Sequence, residues 1–395
     1  MSWPTVPIKE VCLYAVDCPN RTAPIVDYDT PYKMLRTTNV RGGFVDTRNL
    51  RCVTRETYEK WTRRLKPQVG DIILTREAPL GDVGRLTSDE QVFLGQRLFH
   101  YRANPEKLDS RFLAYVLQSN QVQGWIKGVG FGATVQHAKV ADFLKIPIPL
   151  PPLTIQSRIG QILSTYDDLI ENNRRRIALL EEAARQLYKE WFVRFRFPGH
   201  EHVKIIDGVP EGWSRKNLFE VATATYGHAF KSELFSNEPI GRPIVRIRDV
   251  PDRSSETWTT EDAPVEKIVD NGDFLIGMDG DFHMNFWAGG TAWLNQRVVR
   301  LLGKGCLSTG LLRNSIEKQI KDLNETITGT TVKHLGAKHL KQIELLIPPT
   351  ILLNQANEFC DSIRNMVVNL SVGNLQLAKT RDLLLPKLMS GAIAI

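Results

Sequence analysis

Residues 154 to 195 read TIQSRIGQILSTYDDLIENNRRRIALLEEAARQLYKEWFVRF, and this stretch decides the fold. Apolar side chains recur in steps of four and three, which is the heptad pattern of a coiled coil. The predicted seam consists of Ile159, Leu163, Tyr166, Ile170, Ile177, Leu180 and Leu187, with Asn173 among them. One long helix, about 60 Å at ~1.5 Å per residue, is therefore expected to pack against another helix. A long amphipathic helix inside a single domain is the alternative.

The composition is that of an ordinary globular protein. The 395 residues allow two or three domains, and 42% are apolar and 24% charged. No apolar run has the length of a membrane span and the N-terminus lacks a signal-peptide pattern, so we expect a cytoplasmic protein without membrane partners. The five cysteines form no CxxC pair, so neither a zinc site nor a disulfide framework is predicted.

Positive charge is concentrated in the first half of the chain. Residues 1–150 contain 21 Lys and Arg against 15 Asp and Glu, whereas residues 199–349 contain 18 against 20. The first half includes a dense basic run with only five acids: Arg21, Lys33, Arg36, Arg41, Arg48, Arg51, Arg55, Lys60, Arg63 and Arg64. Such a run suits a surface that follows DNA phosphates, although a solvated face explains it equally well.

The chain repeats itself at a period near 200 residues. The segment 132–137, GATVQH, corresponds to 329–334, GTTVKH, and each is followed by a Pro-Pro pair, at 151–152 and 348–349. Upstream, 70–74 corresponds to 272–276, and Gln96-Arg97 corresponds to Gln296-Arg297. An internal duplication is therefore predicted.

The second copy also ends in a helix, expected over residues 351–388. Its predicted seam is Phe359, Ile363, Met366, Leu370 and Leu377. The fold class is α+β: two similar mixed α/β domains separated by two long antiparallel coiled-coil helices. The expected boundaries are 1–150 for the first domain, 151–198 for the first helix, 199–348 for the second domain and 349–395 for the second helix.

Common catalytic motifs are absent from the sequence. No Walker lysine loop, HExxH or GxSxG occurs, so no catalytic residue is predicted. Segment 128–132, GVGFG, resembles half of a dinucleotide-binding motif, but flexible backbone explains it as well. His200-Glu201-His202 reads as a solvated linker rather than a metal site.

The combination of Pro-Pro, an early helical glutamine and a duplicated copy resembles the specificity subunit of Type I restriction-modification systems. The similar residues are Pro151, Pro152, Gln156, Ile159, Leu163, Asp167, Ile170, Asn172, Leu180, Glu181, Leu187, Trp191 and Phe192, then Pro348, Pro349, Gln355, Phe359, Ile363 and 385–388. The resemblance covers the whole chain. It departs from the family in the second helix, where no counterpart of Trp191-Phe192 is obvious.

The resemblance implies two target recognition domains that each read one half of a bipartite, asymmetric site in double-stranded DNA. The helices would fix the unread gap and dock two modification subunits, with restriction subunits joining for cleavage. Catalysis, together with S-adenosylmethionine, ATP and Mg²⁺, would belong to those partners, so this chain is expected to bind no cofactor. A stand-alone DNA-processing enzyme and a scaffold that binds no nucleic acid are the alternatives.

Residues that suit base-edge or phosphate contacts occur in corresponding loops of the two domains. In the first domain the candidates are Arg36, Arg41, Arg48, Arg76, Gln96, Thr134, Gln136, His137 and Lys139. In the second they are Arg246, Arg248, His283, Gln296, Thr331, Lys333, His334 and Lys338. The repeated segments 132–137 and 329–334 are alternatively explained as supports for the turn into each long helix. The polar face of the first helix, with Arg174, Arg175, Arg176, Glu181 and Glu182, is the expected docking site for modification subunits.

Overall fold

A computed structural model describes residues 3–131, 137–327 and 333–393. The chain divides into two compact units. The first combines residues 1–168 with 377–395, and the second consists of residues 169–376. Each of the two long helices therefore contributes residues to both units. None of the helices described combines the length and hydropathy that a bilayer crossing requires.

In its described residues the first unit contains three sheets and four short α-helices. Its strands are β1 Thr5–Pro7, β2 Cys12–Asp17, β3 Tyr32–Leu35, β4 Val40–Arg41, β5 Gly43–Val45, β6 Arg51–Cys52, β7 Ile72–Arg76, β8 Leu80–Arg85, β9 Gln91–Leu94, β10 Leu98–Ala103 and β11 Pro147–Pro149. The helices are α1 Arg55–Trp61, α2 Ser110–Gln118, α3 Asn120–Gly128 and α4 Val140–Phe143. The sheet orders are β2-β10-β7-β8-β5-β4, β6-β3-β9 and β1-β11.

The second unit repeats the main features of this arrangement. Its strands are β12 Ile205–Ile206, β13 Val209–Pro210, β14 Ser214–Asn217, β15 Ala222–Tyr226, β16 Phe235–Ser236, β17 Arg242–Val245, β18 Trp258–Thr259, β19 Ile268–Val269, β20 Phe274–Gly277, β21 Met284–Phe286, β22 Ala292–Leu294, β23 Val298–Gly303 and β24 Glu344–Ile347. Its short helices are α6 Leu218–Val221, α7 Thr309–Thr326 and α8 Ala337–Leu340. The sheet orders are β15-β23-β20-β21, β16-β18-β17-β22-β19, β14-β24 and β12-β13.

Strand register confirms the duplication. In the first unit Leu74 pairs with Phe99 between β7 and β10, and in the second Ile276 pairs with Val299 between β20 and β23. Leu74 and Ile276 correspond in the sequence repeat, and Phe99 and Val299 lie at the same distance after the repeated Gln-Arg pair. Both sheets bury their apolar face against the helix that follows, which is α2 in the first unit and α7 in the second. The two units are therefore copies of one fold.

An aspartate closes the equivalent turn in each copy, and it is buried in the first and half-buried in the second. Asp71 accepts two hydrogen bonds of 2.8 Å from Arg102 and one contact of 2.6 Å from His100 Nε2. Burial alone raises the pKa of Asp71, but the hydrogen bonds from Arg102 and His100 outweigh burial and leave the pKa lowered. In the second unit Asp273 takes the same place, with Arg300 Nη1 at 3.2 Å.

The long helices are α5 Leu153–Tyr188, extended by a π-helical turn over Lys189–Val193, and α9 Thr350–Met389. Within the second unit Asn173 Nδ2 donates to Asn374 Oδ1 at 2.9 Å, while Ala184 packs with Ile363. Residue numbers rise along α5 as they fall along α9, so the packing in this unit is antiparallel, as predicted. Ile177 and Leu180 line the same cluster.

The first unit contains the beginning of α5 and the end of α9. Ile159 and Leu163 are fully buried in its core, together with Leu388 of α9. The buried Asp167 pairs with Arg381 and accepts a hydrogen bond from Tyr115. Burial raises the pKa of Asp167, and the positive charge of Arg381 opposes that shift. Tyr166 is half-buried in this unit, and Ile170, at the start of the second unit, is buried.

The predicted register of α9 is wrong at two positions. Phe359 is 39% and Met366 45% exposed, whereas their neighbours Cys360 and Val367 are buried. Ile363 is buried as expected, while Leu370 and Leu377 are half-buried.

The error arises because the prediction treated Gln355 as the equivalent of Gln156. Gln156 accepts from the backbone N of Asp109 and donates to the carbonyl of Lys107. In the second unit Asn357, not the exposed Gln355, makes the matching bonds to Ser308 and Cys306. The helix α9 has extra residues at its start, which shift its buried face away from the spacing inferred from Pro-Pro.

Candidate nucleic-acid interface

An open cleft of about 590 Å³ lies on the second unit, where several strands end. It is lined by Arg246, Ile247, Arg248, Pro251, Asp279, Asp281, His283, Asn295 and Arg297. Three of the predicted contact residues, Arg246, Arg248 and His283, are therefore brought together here. Basic and amide donors beside carboxylate acceptors give this cleft the functional groups that hydrogen-bond base edges and phosphates.

Asp279 contacts an arginine and a histidine at the edge of this cleft. Its Oδ1 lies 2.6 Å from His334 Nδ1, and its Oδ2 lies 3.5 Å from Arg297 Nε. The backbone positions both partners, because Met278 N donates to Arg297 O at 2.8 Å and Leu335 N donates to Met278 O at 2.7 Å. One carboxylate thus orients an arginine and a histidine that are both exposed.

The first unit places the same three residue types at the equivalent position, with the acid and the arginine paired. Glu77 Oε2 lies 3.4 Å from Arg97 Nε, and the backbone of Glu77 forms a β-bridge with His137. Arg76 N donates to Arg97 O at 2.7 Å, as Met278 does to Arg297. An acid, an arginine and a histidine therefore meet at the end of the same strands in both copies.

Around this shared arrangement the two units differ. The rings of His137 and Phe131 pack at 4.0 Å between centroids, and Lys139 Nζ lies 5.7 Å from the centroid of the Phe131 ring. The second unit instead has His339 nearby. Burial lowers the pKa of His339, and the charges of Lys338 and His334 lower it further. Similar frames with different surroundings suit the reading of different sequences.

Arginines that follow β3 and β17 occupy matching turns. Arg246 Nε donates to Asp249 Oδ2 at 3.0 Å, so its guanidinium is held by its own turn. Arg36 N donates to Asn39 Oδ1 at 2.9 Å in the first unit, but an amide replaces the carboxylate there. The Arg36 side chain consequently lacks the ion pair that restrains Arg246.

The remaining predicted residues lie in several places. Arg41 is on β4 and Arg48 is held by Asp46, while Gln96 accepts from Thr22 Oγ1 at 3.5 Å. Gln296 and Lys338 are exposed, the latter in α8. Lys333 Nζ donates to the carbonyl of Asn324 at 2.6 Å, which turns its ammonium into the protein. Thr134, Gln136 and Thr331 lie outside the described residues.

Sequence reasoning missed several residues of the arrangement. Arg97 and Arg297 belong to the repeated Gln-Arg pair, but the predicted contacts include only Gln96 and Gln296 of that pair. Glu77 and Asp279 follow the repeated strands β7 and β20, and extension of that repeat by a few residues identifies both. Among the described residues no group of three or more metal-ligating side chains comes together.

Comparison with known proteins gives consistent matches along the chain. The sequence profile described as Type I restriction modification DNA specificity domain matches residues 2–182 and 210–355. The Type I restriction enzyme MjaIX specificity subunit of Methanocaldococcus jannaschii is 24% identical, over 88% of this chain and 83% of that protein. The EcoBI specificity subunit of Escherichia coli is 32% identical, over 36% of this chain and 30% of its own length.

The fold also occurs among solved structures. The crystal structure of the S subunit of a Type I restriction-modification system from M. genitalium superposes with a TM-score of 0.58. The match covers 98% of this chain and 96% of that chain, at 18% identity.

Proposed function

Since this chain belongs to the Type I restriction modification DNA specificity domain family, we propose that it directs a restriction-modification complex to a bipartite site in double-stranded DNA. Each unit reads one half-site. The chain itself is non-catalytic and acts in the cytoplasm. Methylation and cleavage, with S-adenosylmethionine, ATP and Mg²⁺, belong to partner subunits.

The duplicated acid-arginine-histidine arrangement carries this proposal. Arg97 and Arg297 are exposed, and a carboxylate holds each of them at one end of the side chain. An arginine fixed in this way can donate two hydrogen bonds to guanine O6 and N7 at low cost in side-chain entropy. His334, anchored to Asp279 through Nδ1, presents Nε2 to a base edge or phosphate.

Selection from random duplexes tests the proposal. The chain, assembled with its modification subunits, is incubated with a randomised duplex pool at moderate salt, and the bound molecules are sequenced. Enrichment of two short blocks separated by a constant gap is expected. Failure to enrich any sequence over a range of salt concentrations would remove sequence reading from its functions.

For partner docking, we propose that two modification subunits bind the exposed faces of the long helices. Arg174, Arg175 and Arg176 are exposed on α5 and support this assignment. Glu181 does not belong to that surface. Its Oε1 accepts a hydrogen bond from Arg253 Nη2 at 2.6 Å, and its side chain is only 16% exposed. The outward Phe359 and Met366 of α9 extend the docking face with apolar contacts of the kind that interfaces bury.

Replacement of both apolar side chains tests the docking face. Phe359→Glu/Met366→Glu should weaken binding of the modification subunit without lowering the chain's own stability, since neither side chain is buried. Ile240→Glu/Val265→Glu, at two exposed apolar positions outside the long helices, adds the same charge and is the control. Unchanged assembly of the double variant would place the modification subunits elsewhere.

A further inference from the structure

The helix α1 of the first unit displays a cluster of basic side chains on aromatic rings. The ring of Tyr58 packs edge-on against Phe93, and the ring of the half-exposed Trp61 lies 6.3 Å from that of Phe93. The guanidinium of Arg21 lies 5.1 Å and Lys60 Nζ 5.9 Å from the Trp61 ring centroid. We call the exposed surface of Arg21, Lys60, Trp61, Arg63 and Lys66 the Trp61 surface.

The cations of the Trp61 surface are not neutralised by acids of the described residues, unlike two arginines beside them. Arg64 pairs with Asp17 at 2.7 Å and Arg55 pairs with Glu59 at 2.7 Å. In contrast, no acidic side chain among the described residues forms an ion pair with Arg21, Lys60, Arg63 or Lys66, and all four are exposed. The Trp61 ring attracts both Arg21 and Lys60 by cation–π interaction, which reduces the side-chain entropy lost on binding an anion.

The equivalent segment of the second unit has the opposite charge. Residues 18–71, between β2 and β7, contain eleven Lys and Arg against six Asp and Glu, a net charge of +5. Residues 227–273, between β15 and β20, contain six against ten, a net charge of −4. A requirement common to both copies does not explain this difference. It points to a stronger contact with an anionic partner on the first unit than on the second.

The Trp61 surface is continuous with the base-reading arrangement of the first unit. Thr22, next to Arg21 in the chain, donates through Oγ1 to Gln96 Oε1 at 3.5 Å. Gln96 immediately precedes Arg97, which pairs with Glu77. A duplex read at Arg97 therefore has basic surface beside it.

We propose that the Trp61 surface binds the phosphate backbone of duplex DNA next to the half-site read by the first unit. This inference rests on the proposed function and adds an asymmetry to it. The first unit supplies most of the sequence-independent, salt-dependent affinity, and the acidic segment of the second unit supplies little. A polyanionic backbone fits a row of separate cations better than a single small anion does.

Salt-dependent binding to a duplex of random sequence tests this inference. Anisotropy of a fluorescent duplex of about 40 base pairs is titrated with the assembled complex at several KCl concentrations. For Lys60→Ala/Arg63→Ala we expect roughly tenfold weaker binding at low salt, and a salt slope smaller by about 2, since each lost phosphate contact removes about 0.9. Lys60→Arg/Arg63→Lys keeps the charge and should bind as the original chain does.

A matched control removes the same charge from the second unit. Lys304→Ala/Lys318→Ala replaces two exposed lysines, and it should leave affinity and slope unchanged. Equal losses from both double variants would reduce the effect to net charge and overturn the proposal. Unaltered DNA binding with weakened assembly would instead assign the surface to an acidic protein partner.

The two proposals can fail separately. Sequence reading is measured by enrichment from the randomised pool, whereas the Trp61 surface is measured by the salt slope on unselected DNA. In the Lys60→Ala/Arg63→Ala complex the enriched sequence should stay the same although affinity falls. A changed sequence would make these residues readers of bases rather than phosphate contacts.

Discussion

Asp279 Oδ1 lies 2.6 Å from His334 Nδ1, and the other oxygen of the same carboxylate faces Arg297 at 3.5 Å. Asp279 therefore acts as a positioning residue for two groups that contact DNA in our proposal. In Asp279→Asn the neutral amide no longer forms an ion pair with Arg297 and keeps only one oxygen acceptor for the two side chains, so Arg297 and His334 lose their fixed orientation. We expect the preference for the selected sequence over random DNA to fall by about 1–3 kcal/mol, the value of one good bidentate contact.

Competition binding with selected and random duplexes measures that preference. Affinity for random DNA should change little, because the variant retains both Arg297 and His334. Asp281→Asn, which changes an exposed acid at the same cleft, is a matched control for the lost negative charge. Equal gains in affinity for both duplexes in both variants would mean that Asp279 acts only through its charge.

A second prediction concerns the ion pair of Asp167 and Arg381 in the first unit. Arg381→Met leaves a buried carboxylate without its cation, which typically costs about 3–5 kcal/mol of unfolding free energy. Arg175→Met breaks an exposed pair with Glu171 and should cost less than about 1 kcal/mol. Urea unfolding of the two variants measures the difference.

The loss in Arg381→Met should shrink as the pH falls. Burial already raises the pKa of Asp167 in the folded chain, and removal of Arg381 raises it further. A carboxyl with a raised folded pKa favours the folded state when protonated, so acid reduces the penalty. A deficit that grew on acidification would contradict this account of the pair.

The third prediction concerns the amide pair of Asn173 and Asn374 between the long helices. Either single change to leucine leaves the other amide without its partner and should lower the unfolding free energy by about 1 kcal/mol. Asn173→Leu/Asn374→Leu should raise it above the original value, since polar seam residues fix register at a cost in stability. Urea midpoints of the four chains form the required cycle, and additive losses would show that the amides are not coupled.

The fourth prediction concerns acid sensitivity and Asp71. The folded-state pKa of Asp71 is lowered by Arg102 and His100 against the effect of burial. Its contribution is therefore complete above the unfolded pKa of about 4 and is lost as the pH falls through the lower folded value. Asp71→Asn should be less stable by about 1–3 kcal/mol at pH 7 and less sensitive to acid below pH ~4. Urea titrations at several pH values measure both effects, and parallel pH profiles would exclude Asp71 as the acid-sensitive group.

The sequence predicted the architecture because the duplication and the heptads are long-range patterns. Leu74 and Ile276 are equivalent positions of the sequence repeat, and the residues they pair with on the neighbouring strands, Phe99 and Val299, are equivalent as well. The register of α9 was not predictable, because the exposed Phe359 and Met366 have the same apolar character and spacing as a seam. Only the contacts of Asn357 with Ser308 and Cys306 reveal how α9 is rotated.

The candidate site was predictable in part. The basic character of Arg246, Arg248 and His283 and their places beside predicted strands led to their selection, and all three line one cleft. The orienting carboxylates Glu77 and Asp279 were missed because acids are not usual DNA contacts, and their role depends on where an arginine and a histidine lie in space. Asp46 and Asn324 likewise engage Arg48 and Lys333, and residue type alone does not indicate such pairing.

Parallel selections with two variants test the central claim, that each copy of the fold reads its own half-site. Glu77→Gln and Asp279→Asn change equivalent carboxylates in the first and second units. The assembled complexes of both variants and of the original chain are used to select duplexes from one randomised pool. We predict that each variant relaxes a different block of the bipartite sequence and leaves the gap between the blocks unchanged. Relaxation of the same block by both variants, or of neither, would contradict the account.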